Sequence, residues 1–271
     1  MRILRTSVAV IFVIVLVVFC VFRIQQLGAD TTYPVITIDN PLLEVSITAT
    51  DEDLLKGVTA YDEKDGDISH KVIVESISRF TEIGVCVVEY AVCDNDNHAV
   101  SASRKIVYTD YTAPRFTLSG SLLFGISRSM DIRSLLGAVD AIDGDISSKV
   151  IITANEYSSN TAGMNYISAK VTNSKGDMIS LDLPVYVEEL NLSAPVIELE
   201  HYMIYLKAGD SFDVIGNIIS AVDADEIDLT DQVDIDTNLN LNSPGIYEIH
   251  YRVQDWRERK GHAITTVIVE E

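Results

Sequence analysis

The sequence predicts an all-β protein, three tandem two-sheet sandwich modules behind an N-terminal transmembrane helix. Three observations carry this reading. An acidic loop recurs three times without a gap, as AYDEKDGDISHKV from Ala60, AVDAIDGDISSKV from Ala138 and AVDADEIDLTDQV from Ala221. A proline opens each module, at Pro34, Pro114 and Pro195, spaced 80 and 81 positions apart. A glycine opens a late strand in each, at Gly84, Gly163 and Gly245, spaced 79 and 82 apart. Independent markers sharing one period mean that the chain is built from like units.

The first element is an address. Arg2 and Arg5 precede a run from Val8 to Phe22 without charge, and Arg23 closes it. Residues 7–23 therefore read as an uncleaved signal anchor rather than a cleaved signal peptide, since no small-x-small cleavage site follows at the right distance. Residues 1–6 form a cytoplasmic stub, because basic residues stay inside. Residues 24–32 are a linker. The rest lies outside the cell, which places the chain as a single-pass cell-membrane protein with an extracellular C-terminal part.

The modules follow at 33–109, 110–190 and 191–271. KVIVESI, CVVEYAV and RKIVYTD are rich in β-branched and aromatic residues, and IYEIHYRV alternates polar with apolar. Asp65-Gly66, Asp143-Gly144 and Pro244-Gly245 are turns. The opening prolines suit edge strands, where a missing N–H costs no ladder bond. Short strands at even spacing in some 80 residues make a sandwich. Only RSMDIRSLLGAV hints at a helical turn.

Composition narrows the function. The 271 residues are 47% hydrophobic, enough for packed cores, and carry a net charge of −21. Nucleic acid is excluded as a partner, because phosphate binding needs clustered Lys and Arg. Cysteines are three, Cys20, Cys86 and Cys93. The last two lie in one strand at an odd offset, on opposite faces and too far apart for a disulfide. No Gly-x-Ser-x-Gly, His-Glu-x-x-His or phosphate loop is present, and the five histidines fall at different module positions. A scaffold, not an enzyme, is the expectation.

Ala-x-Asp-x-x-Asp-Gly-Asp-Ile-Ser, followed by Gly-x-Tyr-x-x-x-Tyr-x-x-x-Asp and a final strand, resembles a bacterial immunoglobulin-like repeat. That family was first noticed in insecticidal crystal proteins and is frequent, in tandem, on Gram-positive surfaces. The resemblance covers Tyr33 to Glu271 and implies immunoglobulin-like sandwiches. This sequence departs from the pattern at Cys86, Asn165 and Ala169, which stand at tyrosine positions, and at Ile227, which replaces the loop glycine.

Two chemistries suit the repeated loop. In an immunoglobulin-like topology it shares an end of the sandwich with the hairpin starting at Asp94, Asn173 or Asp255. Ca²⁺ takes 6–8 oxygens, and Asp62, Asp65 and Asp67, Asp140, Asp143 and Asp145, and Asp223, Glu226 and Asp228 can supply part of such a shell. The same aspartates can instead cap turns by accepting backbone N–H groups, with no cofactor at all. The hairpin DWRERKGH places the chain's single tryptophan, Trp256, beside Arg257 and Arg259, residue types enriched where proteins bind partners. The expected role is therefore a membrane-anchored structural or adhesive protein that presents tandem modules to an extracellular protein or glycan. The alternative is a carbohydrate-binding accessory module of a cell-surface polysaccharide-processing system.

Overall fold

The computed structural model describes residues 11–21, 23, 31–128, 131–155 and 160–271. Among them no helix is long and apolar enough to cross a membrane. The expected 7–23 anchor is represented by a helix over residues 11–21, α1. Its apolar side chains, Ile11 to Phe19 and Val21 among them, are exposed. Residues 1–10, 22 and 24–30, which hold the stub, the rest of the span and most of the linker, lie outside the described residues.

Beyond residue 31 the regular structure is mostly strand, and the chain separates into two compact units, Met1–Asp110 and Tyr111–Glu271. The first unit holds β1 (Val35–Ile38), β2 (Leu42–Val45), β3 (Val58–Asp62), β4 (Gly66–Asp67), β5 (Ile73–Ile77), β6 (Val85–Cys93) and β7 (Ala99–Tyr108). They form two sheets, β1-β3-β4 and β2-β7-β6-β5. Leu54, Val88, Tyr90 and Ile106 lead the core between them. A short helix, α2 (Asp51–Leu54), opens on a capping box in which Thr50 and Asp53 serve each other's backbone. Its Thr-x-x-Asp signal was legible in the sequence, although the sequence reading did not anticipate the helix.

The second unit repeats this plan twice. Its strands are β8 (Arg115–Leu118), β9 (Leu123–Gly125), β10 (Leu136–Asp140), β11 (Gly144–Asp145), β12 (Ile151–Asn155), β13 (Gly163–Thr172), β14 (Met178–Glu188), β15 (Val196–Leu199), β16 (Met203–Lys207), β17 (Ile218–Val222), β18 (Asp234–Thr237), β19 (Gly245–Gln254) and β20 (Lys260–Glu270). The sheets run β11-β10-β8 against β12-β13-β14-β9, then β15-β17 against β16-β20-β19-β18. Each pair encloses its own hydrophobic cluster. The single expected helical turn is α3 (Ile132–Leu135), capped by the Asp131 side chain.

The strand after each opening proline is an edge strand, β1, β8 or β15, and the proline stands one residue before it. The next strand crosses to the other sheet and pairs in parallel with the last, β2 with β7, β9 with β14 and β16 with β20. Cys86 is buried and Cys93 exposed within β6, and no disulfide joins them. Gly261 of β20 sits where an added Cβ would lie 2.2 Å from the Pro195 carbonyl oxygen, so only glycine admits the chain entering the third pair.

The second and third sheet pairs are packed together. The outward face of β20 carries Ile264, Thr266 and Ile268, all buried. Ser121 bonds the Ile264 backbone at both N–H and carbonyl, 2.8 and 3.1 Å. Tyr205 accepts the Phe116 N–H at 2.9 Å, and the Arg115 guanidinium lies over the Tyr205 ring.

Candidate functional site

Each acidic loop begins with a buried aspartate at or just past the end of a strand. Asp62 is 1% exposed, and Asp140 and Asp223 are nearly as deep. The Asp62 Oδ1 accepts the N–H groups of Lys64 and Asp65, both at 2.9 Å. Asp140 does the same for Ile142 and Asp143. Asp223 accepts from Asp225 and Ile227. The shift of one residue follows from the missing glycine. Gly66 and Gly144 take the left-handed backbone in the first two loops, whereas Glu226 takes it in the third.

The last acid of each loop caps the next turn. Asp67, Asp145 and Asp228 accept both the backbone N–H and the hydroxyl of Ser69, Ser147 and Thr230. Those hydroxyls, then those N–H groups, hold the three carboxyls below their ordinary range. The same hydroxyls receive the N–H of Ala60, Ala138 and Ala221, so the loop is tied to its own strand.

The middle acids of the first two loops reach the late hairpin, as the topology required. Asp65 Oδ2 accepts the Asn95 N–H at 2.8 Å. Asp143 accepts from Ser174 at both nitrogen and hydroxyl, and from Lys149 at 2.7 Å. Burial pushes the Asp143 carboxyl up, but Lys149 and Ser174 outweigh it and hold it below its usual value.

Most of the predicted Ca²⁺ ligands thus turn at least one oxygen to the chain itself. Among the described residues no group of three or more His, Cys, Asp or Glu is placed to hold a metal ion. A hard cation needs several free oxygens converging on one point.

Beneath the loops the three repeats differ. In the second, Asn173 Nδ2 donates to Asp140 Oδ2 at 3.0 Å and to the Tyr111 hydroxyl, which itself bonds Asp177. In the first and third, Asp94 and Asp255 take the place of Asn173, and Asp62 Oδ2 and Asp223 Oδ2 are buried without a hydrogen-bond partner. Four residues further on, a base compensates the extra acid: His98 bonds Asp94 at 2.7 Å, and Arg259 bonds Asp255 at 2.5 Å.

Arg259 is thus turned towards Asp255 inside its own hairpin. Trp256 and Arg257 do offer something. Trp256 is 68% exposed. The Arg257 guanidinium lies 4.3 Å from its ring centroid and is held by Asp225 of the neighbouring acidic loop at 3.1 Å. Ile227 of that loop is exposed too. The tryptophan is an outward aromatic plate with one cation set against it.

Sequence reasoning missed one cluster. His250 of β19 and His262 of β20 meet at Nδ1 and Nε2, 3.0 Å apart. With ring centroids 5.3 Å apart, the two imidazoles meet edge to edge rather than face to face. His262 Nδ1 is 3.1 Å from Glu188 of β14. Tyr186 of β14 donates to Glu248 Oε2 at 2.7 Å. The available signal was the run AITTVIV in β20, apolar on both faces, which marks a strand covered on both sides.

The fold is a two-sheet β-sandwich plan that recurs along the chain, with an acidic loop and a late hairpin meeting at one end of it. Residues 200–269 match the family described as bacterial surface protein, Ig-like domain. The chain is 32% identical over 124 residues to the pesticidal crystal protein Cry22Aa of Bacillus thuringiensis, covering 44% of this chain and 16% of that protein. It is 31% identical over 138 residues to an 81.3 kDa protein of Acholeplasma phage L2, covering 49% and 18%. The chain thus spans less than a fifth of either relative. The resemblance to the immunoglobulin-like repeats of crystal proteins is borne out by these matches. Among solved structures, similarity extends to the CBM51-2 and INT domains of Clostridium perfringens ZmpB, at 22% identity over 55% of this chain and 26% of that chain, TM-score 0.24. It extends also to human CDH23 EC21-23, at 14% identity over 87% of this chain and the whole of that chain (100%), TM-score 0.21.

Proposed function

We infer that this protein is a non-catalytic cell-surface scaffold. It presents three tandem immunoglobulin-like modules, 33–109, 110–190 and 191–271, and makes a protein or glycan contact at the tip of the last. The observation that carries this reading is the exposed Trp256, with the Arg257 guanidinium over its ring and held by Asp225. A rigid aromatic plate costs little entropy to order, and such residues dominate contact energy.

The carbohydrate-binding reading draws on the same plate, because an aromatic face also suits the apolar face of a sugar ring. Full-length protein and its Trp256→Ala variant, mixed with insoluble cell-wall polysaccharide and separately with extracellular proteins of the host cell, test both readings. Loss of capture by about 2 kcal/mol in the variant is expected, a hot-spot magnitude. Equal capture of the two proteins on every matrix refutes the tip as the contact.

Attachment to the cell membrane through the N-terminal stretch belongs to this reading. Its support is the uncharged run from Val8 to Phe22. Resistance of the full-length protein to carbonate extraction from membranes is the expected outcome; release into the soluble fraction removes the anchor.

A further inference from the structure

We propose that the outward face of the last sheet, running up to the Trp256 hairpin, is a cleft that binds a hydroxyl-rich saccharide chain. The inference rests on the reading of the third module as the contact surface and names the ligand class that module takes.

The cleft has a volume of about 460 Å³ and is lined by Gln232, Asp234, Arg252, Gln254, Lys260 and His262, together with Glu188 of β14. That size falls within the ~300–1,000 Å³ of small-ligand sites. Register brings the side chains together. Asp234, Arg252 and His262 form one row across β18, β19 and β20. Gln254 and Lys260 face each other two residues further along, on the same side of the sheet, at the last rung before the hairpin tip. Trp256 follows two residues after Gln254, so the rows lead up to the exposed aromatic plate.

The other repeats show what the third has changed. The same rungs in the first are Ile73–Ala91–Ser101 and Cys93–Ala99. In the second they are Ile151–Lys170–Ser180 and Thr172–Met178. Ile73, Ile151 and Met178 are exposed there. In the third repeat every one of these positions carries a strongly hydrogen-bonding side chain. The exchange does not serve the fold. The side chains of Gln232, Asp234, Gln254 and Lys260 are exposed and make no hydrogen bond or ion pair among the described residues. At the position of Gln232 the other repeats carry Lys71 and Lys149, which donate to Asn95 and Asp143 at 2.7 Å. The third repeat releases this position from its own loop.

The lining selects the ligand. An apolar molecule finds no apolar wall, since Val253 turns its side chain into the core. The acids Glu188 and Asp234 balance the bases Arg252 and Lys260, so a dense charge of either sign gains little. What remains is a row of mixed donors and acceptors. Amides offer both, carboxylates accept from hydroxyls, and guanidinium and ammonium groups donate to oxygen. A sugar ring supplies both kinds of partner at every hydroxyl. Its apolar face also suits the tryptophan at the end of the rows.

Capture of full-length protein on insoluble cell-wall polysaccharide tests the cleft, using exchanges borrowed from the other repeats at the same backbone positions. Gln232→Lys, Asp234→Ile and Lys260→Ala should each weaken capture about three- to tenfold, as for a lost hydrogen bond. Full capture by all three exchanges overturns the cleft, whether or not Trp256→Ala loses it. Failure of the wild type to bind polysaccharide, with extracellular proteins captured through Trp256, overturns the cleft and leaves the tip reading standing. Loss in the exchanges with Trp256→Ala unaffected sustains the cleft and refutes the tip. Should an exchange fail to fold, the wild type decides. Soluble oligosaccharides released from the same polysaccharide should shift the side-chain amide resonances of Gln232 and Gln254; unmoved resonances overturn the cleft.

Discussion

β7 and β20 are the same strand of the repeat, yet they answer to different surroundings. β7 keeps its outward positions, Ser101, Ser103 and Lys105, exposed, while Arg104 and Ile106 are buried beneath. β20 buries both faces. Ala263, Thr265, Val267 and Val269 enter the core, and Ile264, Thr266 and Ile268 enter the joint with the preceding sheet pair. Identical topology therefore does not make the repeats equivalent. Alternation marks a strand with one wet face, and its loss marks a strand that packs on a neighbour.

Charge placed on the outward face separates the two strands most sharply. Ile264→Asp puts an uncompensated charge into the joint and should cost about 3–5 kcal/mol. Ser103→Asp at an outward position of β7 should stay within about 0.5 kcal/mol. Chemical denaturation of the two variants measures both, and equal losses would dissolve the distinction.

A smaller effect sharpens the comparison beneath the acidic loops. Asn173→Leu removes the donor from buried Asp140 Oδ2 and should cost about 1–3 kcal/mol. A neutral result would mean that the second repeat tolerates the orphaned oxygen already present under Asp62 and Asp223. The smallest effect belongs to the tip. Trp256→Ala should move the unfolding free energy by no more than about 0.5 kcal/mol, since its side chain is mostly in water, so any loss of capture would not reflect misfolding.

Much of the architecture was legible because the chain repeats its signals. The prolines gave the edge strands, and the Asp-Gly pairs gave the turns. The meeting of acidic loop and hairpin, Asp65 on Asn95 and Asp143 on Ser174, followed from topology alone. The choice between turn and metal was not legible, because the same aspartates serve both chemistries and only the direction of each oxygen separates them. Arg259 looked like Arg257 in the sequence, but its position opposite Asp255 turns it inward. The joint escaped because His250 and His262 have no counterparts at matching positions in the other repeats, and a search for repetition passes over what occurs once.

The parallel pairing of β2 with β7, with Leu42 opposite Lys105 and Val45 opposite Tyr108, has a mechanical consequence. A chain held at one end and pulled at the other draws β2 towards its start and β7 towards its finish. Because the strands are parallel, these pulls are antiparallel along the shared ladder. Every rung is loaded at once, in shear, instead of parting one after another like a zipper. β9 with β14 and β16 with β20 repeat the clamp. Each sheet pair therefore resists tension along the chain axis more strongly than its hydrogen-bond number alone would give, a property suited to a tether.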